Sequence, residues 1–167
     1  MNILVVEDEA VALEELVDLL KTFESRHRIW SAPNGVEGLK LAERIKPDLL
    51  ITDIRMPGMD GIELIRAVKE CRPETEAILI SGHDDFEYAR EGLQLRAKDY
   101  LLKPIRNKTF LETVDKALRE LESLRLSKHR SMEWALIKML NGYDGELERE
   151  YGMNRAMVLI VSVFGNI

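Results

Sequence analysis

Leu49-Leu50-Ile51-Thr52-Asp53-Ile54-Arg55-Met56-Pro57-Gly58-Met59-Asp60-Gly61 is the stretch on which the fold turns. It opens with a short apolar run that ends on an acid, read as a strand over Leu49–Asp53. It closes on Asp60, with Glu63 three residues later, which reads as the start of a helix. A cap oxygen there takes a free backbone N–H of the first turn, and acidic groups favour the positive helix end. A strand that is apolar at consecutive positions is buried on both faces, as in a parallel sheet covered by its crossover helices.

The same alternation continues in both directions. Towards the N-terminus, Ile3–Val6 reads as a strand, followed by a helix over Ala10–Leu20 with Leu13, Leu16, Val17 and Leu20 at helical spacing. Ile29–Ala32 is a weaker strand, and Asn34-Gly35-Val36-Glu37 opens a helix to about Ile45. Towards the C-terminus come a helix over Gly61–Val68, a strand at Ala77–Ser81 and a helix opened by Asp84 with Glu87 that runs to about Leu95. A strand at Tyr100–Leu102 and a helix beginning near Asn107 follow. Strands and helices in strict alternation imply an α/β, doubly wound, five-stranded parallel sheet with right-handed crossovers.

Beyond Glu122 the pattern changes. Leu111, Val114, Leu118 and Leu121 form a coiled-coil-like seam, which either packs this helix on its own sheet or serves a dimer. Arg125 and Lys128 break the seam, and a second helix is expected over about Met132–Leu140, stopping at the Asn141-Gly142 turn. After a polar segment, Met157–Phe164 reads as an apolar strand without evident neighbours. It could pair with another copy or with an edge of the sheet. The expected organisation is a domain over 1–122, a helical linker over 123–142, and the start of a second domain or a tail over 143–167, in a chain cut from a longer protein.

Composition narrows the function classes. The 167 residues are 46 % hydrophobic and 32 % charged, the balance of a packed soluble protein. Thirty acidic against 24 basic residues give a net charge of −6, which speaks against nucleic-acid binding by this polypeptide alone. The single cysteine, Cys71, excludes an internal disulfide and fits a reducing, cytoplasmic setting. No apolar run is long enough for a signal peptide or a membrane helix.

In a parallel α/β sheet, ligands bind beyond the carboxyl ends of the strands. The first strand ends at Glu7-Asp8, the third at Asp53, the fourth at Ser81, and the fifth is followed by Lys103-Pro104. That brings three carboxylates, a hydroxyl and an ammonium to one crevice. Like charges 4 Å apart cost roughly 4 kcal/mol per pair at an intermediate dielectric. A hard divalent cation such as Mg²⁺ would offset this, and the set suits phosphoryl transfer to a carboxylate nucleophile.

These residues, in this order, resemble the response-regulator receiver family of two-component systems over about residues 1–122. The likeness rests on Glu7-Asp8, the segment Asp53 to Gly61, Ser81-Gly82, and Asp99-Tyr100-Leu101-Leu102-Lys103-Pro104. It implies a flavodoxin-like sheet of order 2-1-3-4-5. Asp53 would be the phosphoacceptor for a sensor histidine kinase. Mg²⁺ would be held by Asp8, Asp53, Glu7 through water, and the backbone carbonyl of Arg55. Ser81 and Lys103 would meet the phosphoryl group, with a cis peptide between Lys103 and Pro104. Tyr100 would be the aromatic switch residue; by itself it reads as a half-buried strand aromatic. Glu7 stands where Asp is more usual and Ser81 where Thr is common, and both keep the chemistry.

The run Ile80–Ala89 is similar to receivers of AraC-type transcriptional regulators, in which a linker and a middle domain precede a helix-turn-helix pair. No helix-turn-helix is legible in this chain, so DNA would be reached only through a domain outside it. Other readings are a stand-alone receiver that docks on proteins or relays phosphate, and a phosphate-ester hydrolase using Asp53. Against the last, Arg55 occupies the place where an acid/base carboxylate would follow the nucleophile. A receiver catalyses only its own phosphorylation and dephosphorylation. Asp60 reads as a helix cap, His83 as a loop residue near the phosphate mouth, Lys128-His129-Arg130 as a solvated basic run, and Trp30 and Trp134 as packing residues.

Overall fold

The structure is a computed structural model that describes residues 1–82, 90–92, 95 and 97–140, apart from the side chains of 137–140. His83, the helix start at Asp84 and Glu87, the turn at Asn141-Gly142 and the strand at Met157–Phe164 lie outside the described residues. The described elements run β1 (Asn2–Val6), α1 (Ala10–Leu20), a 3-10 turn (Lys21–Phe23), β2 (Arg28–Ala32), α2 (Gly35–Ile45), β3 (Leu49–Asp53), α3 (Gly61–Cys71), β4 (Glu76–Ser81), β5 (Asp99–Leu102) and α4 (Asn107–Leu140).

The strands form one parallel sheet of order β2-β1-β3-β4-β5. The most apolar strands take the centre. Every residue of β3 is buried, and β1 and β4 are buried but for their first residues, whereas β2 and β5 are half-exposed edges. Leu4, Leu50, Leu64, Ile65 and Leu79 anchor a core on one face, with Trp30 and Tyr100 half-buried against it. Consecutive apolar residues thus become two covered faces, the arrangement their pattern implies.

Two helix starts follow the cap signals. Asn34 Oδ1 accepts the N–H of Glu37 at 2.9 Å, and Asp60 and Glu63 form a reciprocal capping box. The α1 start has no side-chain cap. Gly58 adopts a left-handed backbone conformation, φ 84°, within the β3–α3 loop, where a side chain would be strained.

Two expectations need correction. The seam ends before Arg125 and Lys128, with Leu124 and Leu126 exposed, but the second helix expected over Met132–Leu140 is not separate: α4 is one helix from Asn107 to Leu140. Neither glycine nor proline falls between these residues, and losing an apolar seam removes packing without removing helix propensity. Trp134 is 55 % exposed, whereas Trp30 is half-buried against the core. The chain divides into two compact units, Met1–Arg119 and Glu120–Ile167. The sheet and every expected site residue belong to the first.

Candidate functional site

The strand order reverses between β1 and β3: the chain leaves β1 for β2 on one side and returns to β3 on the other. Neighbouring crossovers diverge there, which opens a crevice beyond the strands' carboxyl ends. Glu7, directly after β1, and Asp53, the last residue of β3, flank it, and both are buried. Asp8 is exposed at its rim. One carboxylate oxygen from each of the three lies within 4.8 Å of the others.

Lys103 reaches across from the β5–α4 turn. Its Nζ lies 2.8 Å from Glu7 Oε2 and 3.0 Å from Asp53 Oδ1. The lysine is carried by backbone: its N–H donates to the carbonyl of Ser81 at 2.7 Å, and the Lys103–Pro104 bond is cis. Ser81, the last residue of β4, is buried opposite Leu102 in the register. The loop after β3 turns back on the acid, so the Arg55 N–H donates to Asp53 Oδ2 at 3.0 Å. Glu7 Oε1 accepts the N–H of Glu9 at 3.4 Å.

The charges do not balance. Three carboxylates face one ammonium, a formal excess of two negative charges. Burial pushes the Glu7 carboxyl up; contact with Lys103 opposes this, and the Asp53 charge adds to it. Burial likewise raises Asp53, against the pull of Lys103 and the Arg55 N–H, and Asp8 raises it further. Burial disfavours the Lys103 ammonium, but Glu7 and Asp53 together outweigh that and hold it above its ordinary range. Glu7 Oε2 and Asp53 Oδ1 are both buried and both meet the one Lys103 ammonium, at 2.8 and 3.0 Å.

Two buried carboxylates that share one ammonium, beside a third acid, make an all-oxygen donor set with surplus negative charge. A hard divalent cation fits it, and Mg²⁺ in particular, which keeps several waters and takes few protein ligands. Glu7, Asp8, Asp53, Ser81 and Lys103 therefore come together at one sheet end. Tyr100 stands apart, half-buried on β5 against the core.

The sequence reading missed two features. The Arg55 backbone N–H orients the acid, and Lys103 bridges Glu7 and Asp53. It also missed a cleft of about 240 Å³ beside the acids, lined by Ala12, Leu16 and Leu19 of α1 and by Pro104 and Ile105. Leu16 and Leu19 at helical spacing, with the exposed Val11, were the available signal. A larger cleft of about 330 Å³ between α2 and α3 lies at the opposite end of the strands, next to Lys46, Pro47 and Arg72, away from the acids.

The family profile described as the response regulator receiver domain matches residues 3–115. The uncharacterized transcriptional regulatory protein YesN of Bacillus subtilis is 34 % identical over 132 residues, 78 % of this chain and 36 % of that protein. The positive alginate biosynthesis regulatory protein of Pseudomonas aeruginosa is 39 % identical over 121 residues, 71 % of this chain and 48 % of that one. The chain thus spans less than half the length of either relative. Among solved structures, the receiver domain of AraT, a response regulator from Geobacillus stearothermophilus, superposes with a TM-score of 0.69 at 35 % identity, over 74 % of this chain and 97 % of that one. A two-component transcriptional regulator AraC from Clostridium phytofermentans does so at 0.67 and 29 %, over 76 % and 98 %.

Proposed function

The chain belongs to the response regulator receiver family of two-component systems, and from that premise we propose that Asp53 takes a phosphoryl group from the phosphohistidine of a sensor kinase. One observation carries the reading. A buried aspartate stands at the switch point of the sheet, with an acid on either side and the Lys103 ammonium 3.0 Å away. An Asp53 carboxylate oxygen attacks phosphorus in line. The O–P bond forms as the N–P bond to the donor imidazole breaks, and the released nitrogen keeps the electron pair. The Arg55 N–H holds the carboxylate against rotation. Lys103 stays beside the new group, whose charge replaces the one it neutralised. The Ser81 hydroxyl turns to a phosphoryl oxygen. Glu7, Asp8, Asp53 and the Arg55 carbonyl would hold Mg²⁺, which supplies positive charge to the transferred group.

The cleft between α1 and Ile105 supports a protein donor: Leu16, Leu19 and Ile105, with Glu15 at their side, offer a contact surface that reaches Glu7 and Lys103. The added charge and acceptor oxygens draw Ser81 and Lys103 inward. Tyr100 then repacks, together with the face made by β5, α4 and the helix expected from Asp84. The output is transcription, through a DNA-binding domain outside residues 1–167. The relatives named as transcriptional regulators support this. Residues 123–142 act as a helical linker, 143–167 begin a second domain, and two copies associate through α4. A receiver of this kind is a signalling module and works in the cytoplasm. No described helix is long and apolar enough to cross a membrane.

Intact mass with Mg²⁺ and acetyl phosphate tests the acceptor. The wild type gains about 80 Da, one phosphoryl group; Asp53→Ala and a chelated sample gain nothing. A gain that survives the mutation removes Asp53 from the role.

A further inference from the structure

The acceptor loop, residues 54–60, carries the Arg55 N–H that orients Asp53 and the carbonyl assigned above to the metal. Two glycines outside the acidic cluster touch this loop. Gly61, the first residue of α3, lies beneath the acceptor's own backbone: a Cβ there would overlap the Asp53 carbonyl oxygen and sit 3.0 Å from its carbonyl carbon. The Gly61 N–H also donates to the Ile54 carbonyl at 2.9 Å. Gly35 acts from the other side. It opens α2, a helix that supplies none of the acids, and a Cβ there would overlap the Met59 carbonyl oxygen and lie 2.9 Å from Met59 Cβ and Cγ. Contacts that tight against backbone leave no room for a side chain without moving the loop.

We propose that Gly35 is a positioning residue for the acceptor site: with Gly61 it clamps the loop over residues 54–60, and the seat of α2 on Met59 thereby sets where Asp53 and the Arg55 backbone lie. This rests on the reading of Asp53 and its neighbours as a Mg²⁺-binding acceptor site. The effect runs through backbone, because the atom in the way is a carbonyl oxygen and cannot swing aside like the end of a side chain. Groups that orient metal ligands typically govern affinity by 10- to 100-fold.

Gly38 supplies the control. It lies one turn further along α2, and the atoms nearest a Cβ there are side-chain atoms, Val6 Cγ2 at 2.9 Å and Leu64 Cδ2 at 3.4 Å. Gly35→Ala and Gly38→Ala exchange the same residues on the same helix, and both crowd the interior. Only the first pushes on the acceptor loop.

The experiment titrates the full chain with Mg²⁺ alone, by calorimetry, and measures the urea midpoint of each metal-free variant. Gly38→Ala lowers the midpoint and keeps the wild-type Mg²⁺ affinity within about twofold. Gly35→Ala weakens Mg²⁺ binding by about tenfold whatever its midpoint. Equal Mg²⁺ affinities in the two variants, weakened or not, overturn the proposal. If Gly35→Ala does not fold, Met59→Gly removes the Cβ and Cγ that also face Gly35 and frees the loop backbone at that seat without adding an atom. It is expected to bind Mg²⁺ several-fold more weakly, and wild-type affinity there overturns the proposal as well. A wild-type chain that binds no Mg²⁺ removes the metal-site reading and this inference with it. A wild type that binds, beside a Gly35→Ala variant that binds equally well, removes the inference alone.

Discussion

Asp48 and Asp53 bracket one strand, one just before β3 and one at its end, and they are buried alike, 6 % and 5 % exposed. Their surroundings are opposite. Asp48 Oδ2 accepts the N–H of Asn2 at 2.7 Å and Oδ1 accepts from the Arg72 guanidinium at 3.1 Å. Close by, Thr75 Oγ donates to the Pro47 carbonyl at 2.9 Å. That end ties the starts of β1, β3 and β4 together. Asp53 shares a single ammonium with Glu7 and has Asp8 beside it, and burial raises its carboxyl. The same residue type at similar depth is thus paired with its own cation at one end of the strand and shares a cation with a second acid at the other. Burial alone does not distinguish them; the balance of charge does.

Substitution should separate the two by sign. Asp48→Ala leaves Arg72 without its closest partner and the Asn2 N–H without an acceptor. The expected loss is about 2–4 kcal/mol, the range for breaking a partly buried pair and stranding a donor. Acetyl phosphate should still label the variant under conditions where it remains folded. Asp53→Asn abolishes labelling and, without divalent cation, should stabilise the fold by about 1 kcal/mol, an ordinary magnitude for a single substitution. Urea denaturation in chelator measures both. If the two variants lose stability equally, the contrast between the strand's ends is wrong.

The pH dependence follows from the raised carboxyls of Glu7 and Asp53. A group that holds its proton more tightly when folded contributes no penalty below its unfolded value, 4.5 for Glu and 3.8 for Asp. The penalty enters as pH rises through the folded value and stays constant above it. The stability gap between Asp53→Asn and the wild type should therefore close towards pH 4 and open towards neutrality. A gap that instead widens on acidification would mean that Asp53 is stabilised as an anion, as a paired carboxylate is. Lys103 works at the other extreme: its raised value gives stability that is lost only as the solution becomes strongly alkaline.

Much of this was legible in the sequence, for identifiable reasons. Apolar runs at consecutive positions gave away the buried strands, and Asn34 and Asp60 marked two helix starts because a cap is a local event. The polar strand ends announced the crevice, since a parallel sheet places all its carboxyl ends together. What stayed hidden depends on chain closure. The Arg55 N–H meets Asp53 only because the loop folds back, and the Asp48–Arg72 pair joins residues 24 apart across two elements. Lys103 was read as a partner for phosphate, whereas its position between Glu7 and Asp53 is a property of the assembled sheet. The α4 helix runs on through Met132–Leu140, where a second helix was expected, because a sequence pattern reports where a helix packs, and a helix without breakers continues where it does not.

Mg²⁺ should sharpen the comparison by the smallest increment. A ligand that binds only the folded chain stabilises it by about 1.4 kcal/mol at ten times its dissociation constant. At the saturated end nothing recruits a cation: Asp48 has a guanidinium and a backbone donor. At the other end Glu7 and Asp53 share one ammonium, and Asp8 beside them is open to solvent. Wild type and Asp48→Ala, with unlike starting stabilities, should therefore gain the same increment from Mg²⁺. Asp8→Asn, which loses an acid without touching the Lys103 bridge, should gain close to none at that concentration. The urea midpoint of each, with and without Mg²⁺, reads the result. An increment in Asp8→Asn equal to that of the wild type would place the cation away from the crevice, and the raised carboxyls would then be the cost of burial alone.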